Sequence, residues 1–308
     1  MGEAVQSMVG QIDPYLLQIV VIIGIAIVLA LGLNVITGLT GQLSLGHAAF
    51  MSIGAFTSAL LTIKLQTPFS VNLLVTGALT AAVGVLIGYP ILRLTGDYLA
   101  ICTLGFAEIV KVIFLNLEIT NKAFGLSVPP PISATPLPIT VWLVVFLAIT
   151  LVSFIQNSRF GRALKAIRCD EIAAEAMGID VARYKVQSFA IGTFLAGVGG
   201  GLYAHFISFI NPSDFGFLKS VDILSMIVLG GLGSIPGCII GSALLSAAPE
   251  FLRFMATYRM LVYGGLLVFM MIFRPNGLMG GINFMEIFLK LLGRKPGMKK
   301  LQERWRQP

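Results

Sequence analysis

The chain predicts an all-α membrane protein, a polytopic helical bundle of about 8–9 membrane segments with interrupted or re-entrant helices. Three observations carry that prediction. Of the 308 residues, 56% are hydrophobic and only 11% are charged, against about 25% charged in an average soluble domain. Mean hydropathy is +0.91, and several apolar runs approach or exceed the ~20 residues that a helix needs to cross a bilayer. The alternating ~10-residue stretches of a membrane barrel are absent from the sequence.

Read in order, the spans fall at roughly 15–37, 43–63, 71–92, 98–117 and 138–156. After a polar island come 186–209, a broken pair at 221–235 and 237–254, and a last span at 259–279. These segments predict one transmembrane domain over 1–308 with no separate soluble catalytic domain. The first fourteen residues carry Glu3 and Asp13 and no basic residue, so they lack the basic start of a signal peptide.

Charge placement predicts topology. Six of the 21 Lys and Arg lie in the 158–185 island and seven lie between Lys290 and Arg306. The positive-inside bias puts both clusters, and the basic 286–308 tail, in the cytoplasm, and it accounts for the basic balance without nucleic acid. Counting back through five crossings places the N-terminus outside. The Pro-rich loop 118–138, with one basic residue, then also faces outside, and Arg93 falls inside.

Parity constrains the rest. The island and the tail share a side, so the 221–254 stretch must return to the side it left. Residues 221–235 make a helix of only about 22 Å, short of a ~30 Å hydrocarbon core. The break is G-G-L-G-S-I-P-G, Gly230 to Gly237, where glycine entropy and Pro236 oppose continuous helix. A similar Gly-rich break, T-G-L-T-G-Q-L-S-L-G-H, runs from Thr37 to His47. Interrupted segments at corresponding places in two halves point to internal repeats and to a transport path. Candidate path residues are therefore Gln42, Ser44 and His47 at the first break, and Gly231, Gly233 and Ser234 at the second. Glu108 joins them as a charge within a span, with Lys111 one turn on. Either the two form a polar patch beside the route or they neutralise each other. Gly84–Gly88, Gly197–Gly201 and Gly237–Gly241 are small-residue pairs that allow close helix approach.

Catalytic constellations are nearly missing. The sequence holds no G-x-x-x-x-G-K-[S/T] loop for ATP phosphates, and Cys102, Cys169 and Cys238 have no metal-ligand spacing. No cofactor is expected.

The island carries the sharper signal. Arg162, Lys165 and Arg168 recur every three residues, with Leu164 and Ile167 on an apolar side. Asp170 suits an N-cap, with Glu171 beside the positive helix end. A short helix over 172–177 follows, and Gly178 is placed to stop it. Its alanines make a small-residue surface able to enter a groove on another protein. Arg168, Asp170, Glu171, Ala173, Ala174, Glu175 and Gly178 are the candidate coupling residues.

With these residues in view, the sequence resembles the inner-membrane permeases of the branched-chain amino acid ABC importers, the second of the two permease types such systems carry. The motifs are G-L-T-G-Q-L-S-L-G-H-A-A-F (38–50), G-D-Y-L-A-I-C-T-L-G-F-A-E-I (96–109), G-R-A-L-K-A-I-R-C-D-E-I-A-A-E-A-M-G-I (161–179), V-L-G-G-L-G-S-I-P-G (228–237) and R-P-N-G-L (274–278). The resemblance implies the branched-chain amino acid/ribose type of ABC importer permease. It implies pairing with a second homologous permease, two cytoplasmic ATPases, a periplasmic substrate-binding protein, and location in lipid of the inner membrane. It also makes Ala173, Ala174 and Gly178 match the E-A-A-x-x-x-G loop by which such permeases contact the ATPase. Ile172 stands where that loop has Glu, and either Glu171 or Glu175 takes its place. Other solutes, such as other amino acids, urea or short amides, remain open. So does a secondary transporter coupled through Glu108 and Lys111.

Overall fold

The structure, a computed structural model, describes residues 14–94, 96–129 and 137–251, together with Gly264, Gly265, Val268, Gly277 and Leu278. The expected span at 259–279, the basic tail and the charged residues near the N-terminus lie outside, or almost outside, the described residues.

Helix α1 (Pro14–Leu33) runs without a stop into a π-helical turn, Asn34–Leu39. Residues 41–46 are not helical, and α2 (His47–Leu65) begins only after them. Then come α3 (Phe69–Ile91), α4 (Asp97–Asn116) and α5 (Leu137–Asn157). Among the described residues these five, with α8 (Val181–Ile207), are the six helices long and apolar enough to cross a membrane. The shorter α9 (Phe217–Gly230) and α10 (Ile235–Phe251) form the broken pair. Among the described residues the expected 8–9 segments are represented by six full-length apolar helices and this pair, and the last expected span lies outside them.

The second break is shorter than the residues predict. Only Gly231 to Ser234 leave the helix, and Pro236 sits in the first turn of α10, where no N–H partner is lost. Ser234 caps that turn, its hydroxyl accepting from the Gly237 N–H at 3.3 Å.

One pairing lies outside the all-α expectation. Strand β1 (Leu126–Ser127) pairs antiparallel with β2 (Phe209–Ile210), with Leu126 opposite Ile210. Asn211 Nδ2 donates to the Ala123 carbonyl at 3.0 Å beside it. The clasp ties the α4–α5 connection to the α8–α9 connection.

Helix α8 is the centre of the bundle, crossing α1, α2 and α3. The glycine pairs explain how. A Cβ at Gly54 would collide with the Gly197 backbone, and one at Gly200 with the Met51 carbonyl; Gly84 abuts Thr193. Close backbone approach of this kind is how apolar helices pack where no hydrophobic drive exists between them. The seam is also stitched by polar groups. Asn72 Nδ2 donates to Thr62 Oγ1 at 2.7 Å and to the Ser58 carbonyl at 3.0 Å, and Thr62 Oγ1 lies 2.9 Å from His205 Nε2. On the outside, α3, α4 and α5 present Leu74, Leu86, Ile101, Phe146 and Phe154 outward, an apolar surface suited to lipid and not to water.

Candidate functional site

The polar island folds into two helices, α6 (Arg159–Cys169) and α7 (Glu171–Ala176). Helix α6 is amphipathic. Leu164 and Ile167 are buried, and Ser158 caps its start by accepting from the Gly161 N–H at 3.2 Å. Asp170 separates the two helices in extended conformation and caps α7, its Oδ1 accepting from the N–H groups of Ile172 at 2.9 Å and Ala173 at 3.0 Å. Gly178, at φ +83°, ends α7 in a left-handed turn. The Gly178 N–H donates to the Glu175 carbonyl at 2.9 Å and the Ile179 N–H to that of Ala174 at 3.1 Å, a paired closure that satisfies the last helical carbonyls.

The faces of α7 are unequal. Ala174 is 4% exposed and turned into the chain, whereas Ile172 and Met177 are each 83% exposed. Ala173, Glu175 and Gly178 lie on the exposed side too. Glu171 is engaged internally. Its carboxylate meets Nζ of the buried Lys185 at 2.6 Å, tying α7 to the first turn of α8. Of the two glutamates on α7, Glu175 is the exposed one.

Arg168 leaves the last turn of α6 and reaches both helix breaks. Its Nη1 donates to the Gly38 carbonyl in the π turn, its stem packs on Gly41, and Nη1 also lies against Gly233. At the same point the Gly233 N–H donates to Asn34 Oδ1 at 2.8 Å, and Gln156 Nε2 donates to the Gly233 carbonyl at 3.2 Å. Gly233 has φ +84°, a conformation that glycine adopts without strain. Gly277 packs on Gly231, and the Leu278 N–H donates to the Leu229 carbonyl at 2.8 Å. The two breaks, 199 residues apart in sequence at the Asn34–Gly233 bond, are thus one physical node.

The other sequence-derived candidates sort around this node. Gln42 and Ser44 are buried, and their side-chain polar atoms find no hydrogen-bond partner among the described residues. Such groups cost about 1–3 kcal/mol each and are rare outside functional places. His47 is buried, its Nε2 3.1 Å from the Leu29 carbonyl. Gly231 and Ser234 flank Gly233 in the second break. Glu108 stays apart: it pairs with Lys111 at 3.3 Å on a half-exposed face of α4, away from the node.

Sequence reading missed Asn34, Gln156 and Lys185, whose types are ordinary for a helix and whose partners lie far along the chain. It also passed over Lys219 and Asp222, three residues apart within the apolar α9. The criterion applied to Glu108 and Lys111 would have found them.

An apolar bundle with two broken helices, joined through one arginine to an exposed capped helix, defines a helical membrane permease. The chain belongs to the family described as branched-chain amino acid transport system/permease component, which matches residues 15–271. It is similar to the high-affinity branched-chain amino acid transport system permease protein LivM of Escherichia coli strain K12, at 38% identity over 287 residues, covering 83% of this chain and 68% of that protein. The high-affinity branched-chain amino acid transport system permease protein BraD of Pseudomonas aeruginosa is 30% identical over 278 residues, covering 82% and 90%. The similarly named permease protein LivH of E. coli K12 is 36% identical over 151 residues, covering 48% and 49%. No solved structure matches. The resemblance read from the motifs is confirmed, and the longer match is to the LivM type.

Proposed function

We propose that this chain is the permease subunit of an ATP-driven ABC importer that carries branched-chain, hydrophobic amino acids across the inner membrane. The ATPases are two separate cytoplasmic subunits, the second half of the pore is a homologous permease, and a periplasmic binding protein delivers substrate. The N-terminus faces outside, and the 158–185 segment and the 286–308 tail face the cytoplasm, all within one transmembrane domain spanning 1–308. Relatives named as branched-chain amino acid permeases support the substrate class, and the basic clusters support the orientation.

The observation that carries the mechanism is the Arg168 contact. Helix α7 offers Ile172, Ala173, Glu175 and Met177 to an ATPase groove, with Glu175 taking the acidic role because Glu171 is committed to Lys185. Movement of the α6–α7 pair is passed through Arg168 to Gly38 and Gly233 together. The broken helices carrying Gln42, Ser44, His47, Gly231 and Ser234 then shift as a unit, which is what alternating access requires of irregular backbone lining a path. Binding and hydrolysis of ATP stay with the partner subunits.

Reconstitution tests this reading. Leucine uptake into proteoliposomes should require the cognate ATPases and ATP. Uphill uptake by this subunit alone, driven by an ion gradient, would overturn it.

A further inference from the structure

We infer that a second place in the fold, the cavity beneath the start of α9, is a binding subsite for a zwitterionic amino acid with an aliphatic side chain. Lys219 takes the carboxylate and Asp222 the ammonium. The inference rests on the transport reading above and names where the cargo is held.

The cavity encloses about 230 Å³ between α1, α2, α8, α9 and α10. That is somewhat below the usual ligand pocket of about 300–1,000 Å³ and leaves room for one small amphiphile only. Its walls are aliphatic, with Ile25, Leu29, Met51 and Met226 among them, and its polar groups include Lys219 and Asp222. The two charges stand three residues apart and so share one face of α9. Among the described residues neither side chain forms an ion pair or a hydrogen bond. Lys219 Nζ lies 5.3 Å from the centroid of the Tyr203 ring, and the charges of Asp222 and Asp214 act on it.

The contrast with Glu108 and Lys111 decides the reading. Those two have the same spacing, close on each other at 3.3 Å and do not line this cavity, which is what a self-neutralising pair does. Lys219 and Asp222 feel each other's charge but close no ion pair, and both line a cavity. Charged side chains that face a cavity inside an apolar helical bundle mark substrate or ion pathways. Opposite charges beside an aliphatic chamber match a zwitterion bearing an aliphatic side chain, because each end then meets its complement.

The frame is held in place. Ser220 Oγ, between the two charges, accepts from the Ala48 N–H at 3.1 Å, and His47 binds the carbonyl of Leu29, a wall residue. The first bond holds α9 against the start of α2, and the second holds α2 against the α1 wall.

The test uses the complete transporter, with ATPases, sister permease and binding protein, in liposomes. ATP-driven leucine uptake by the unsubstituted complex checks the transport reading independently. For the subsite, Ser246→Cys places a thiol in the cavity wall, in a chain with Cys102, Cys169 and Cys238 replaced by alanine. Leucine should slow maleimide labelling of that thiol about fivefold or more at saturating concentration. Leucinamide and 4-methylpentanoate, each lacking one charge, should slow it less than about twofold. Equal protection by either analogue, or none by leucine, overturns the proposal, and the second result would indicate a lipid-filled or inert cavity. Lys219→Gln and Asp222→Asn should each lower leucine uptake about tenfold or more while assembly and ATP hydrolysis persist. Uptake within about twofold of the unsubstituted complex likewise overturns it. If either variant fails to assemble, the labelling experiment decides, since it leaves both charges in place.

Discussion

Gly233→Ala probes the node where the two helix breaks meet. A Cβ there would stand 2.9 Å from Arg168 Nη1 and 3.0 Å from the Gly38 carbonyl oxygen, so the guanidinium must withdraw. The substitution also forces an L-residue into left-handed backbone, at about 1–2 kcal/mol. A hydrogen bond to a charged group contributes about 1.5–3 kcal/mol, so together the substitution costs roughly 2.5–5 kcal/mol. Arg168→Met keeps the stem against Gly41 and removes only the charged bond, at about 1.5–3 kcal/mol. Both changes break the same contact, so the double variant should be no worse than Gly233→Ala alone. ATP-driven leucine uptake is the assay, with ATP hydrolysis as the control for an intact motor. At about 1.4 kcal/mol per decade of rate, the shared contact appears as a shortfall from additivity of roughly 10- to 150-fold. Effects that add within about 0.5 kcal/mol would show that Arg168 and Gly233 do not share this contact, and would refute the coupling route.

Other predictions bear on the coupling helices and the bundle. Ile172→Asp and Met177→Asp should abolish co-purification of the ATPases while the permease keeps its thermal unfolding midpoint, because both side chains are exposed. Asp170→Ala removes the cap on α7 and should cost about 0.5–2 kcal/mol, read as faster proteolysis between α6 and α8. Glu171→Ala should lower the unfolding midpoint more than Lys185→Met does, since the first leaves a buried ammonium alone and the second removes it. Gly200→Leu should destabilise the α2–α8 crossing by about 1–3 kcal/mol or more, measured as lost monodisperse protein in detergent.

Local chemistry made much of this legible in the residues. The Asp170 cap, the Gly178 stop and the amphipathic α6 are each written within a few positions, and each folds as the spacing predicts. So are the long spans, whose boundaries shift by only a few residues. What hid was non-local. The Arg168–Gly38 bond joins residues 130 apart in sequence, and nothing near Arg168 distinguishes it from Arg162 or Lys165. Local rules could not foresee the inward turn of Ala174, because tertiary packing chooses which side of a two-turn helix is covered. The π turn was likewise unreadable, since Asn34–Leu39 has the composition of ordinary helix. Lys219 and Asp222 were readable and overlooked, masked by the apolar residues around them.

The small strand clasp beside α9 has a mechanical consequence. It restrains one end of that helix, where Ser220 is also fastened to Ala48, while the opposite end hangs from Arg168. Helix α9 is thereby a lever with its fulcrum near Ser220, and the arm from there to its end at Gly230 is about 15 Å. A pull of about 1 Å at the arginine tilts such an arm by roughly 4°, so a small stroke would swing the helix about its anchored end and not slide it through the bilayer.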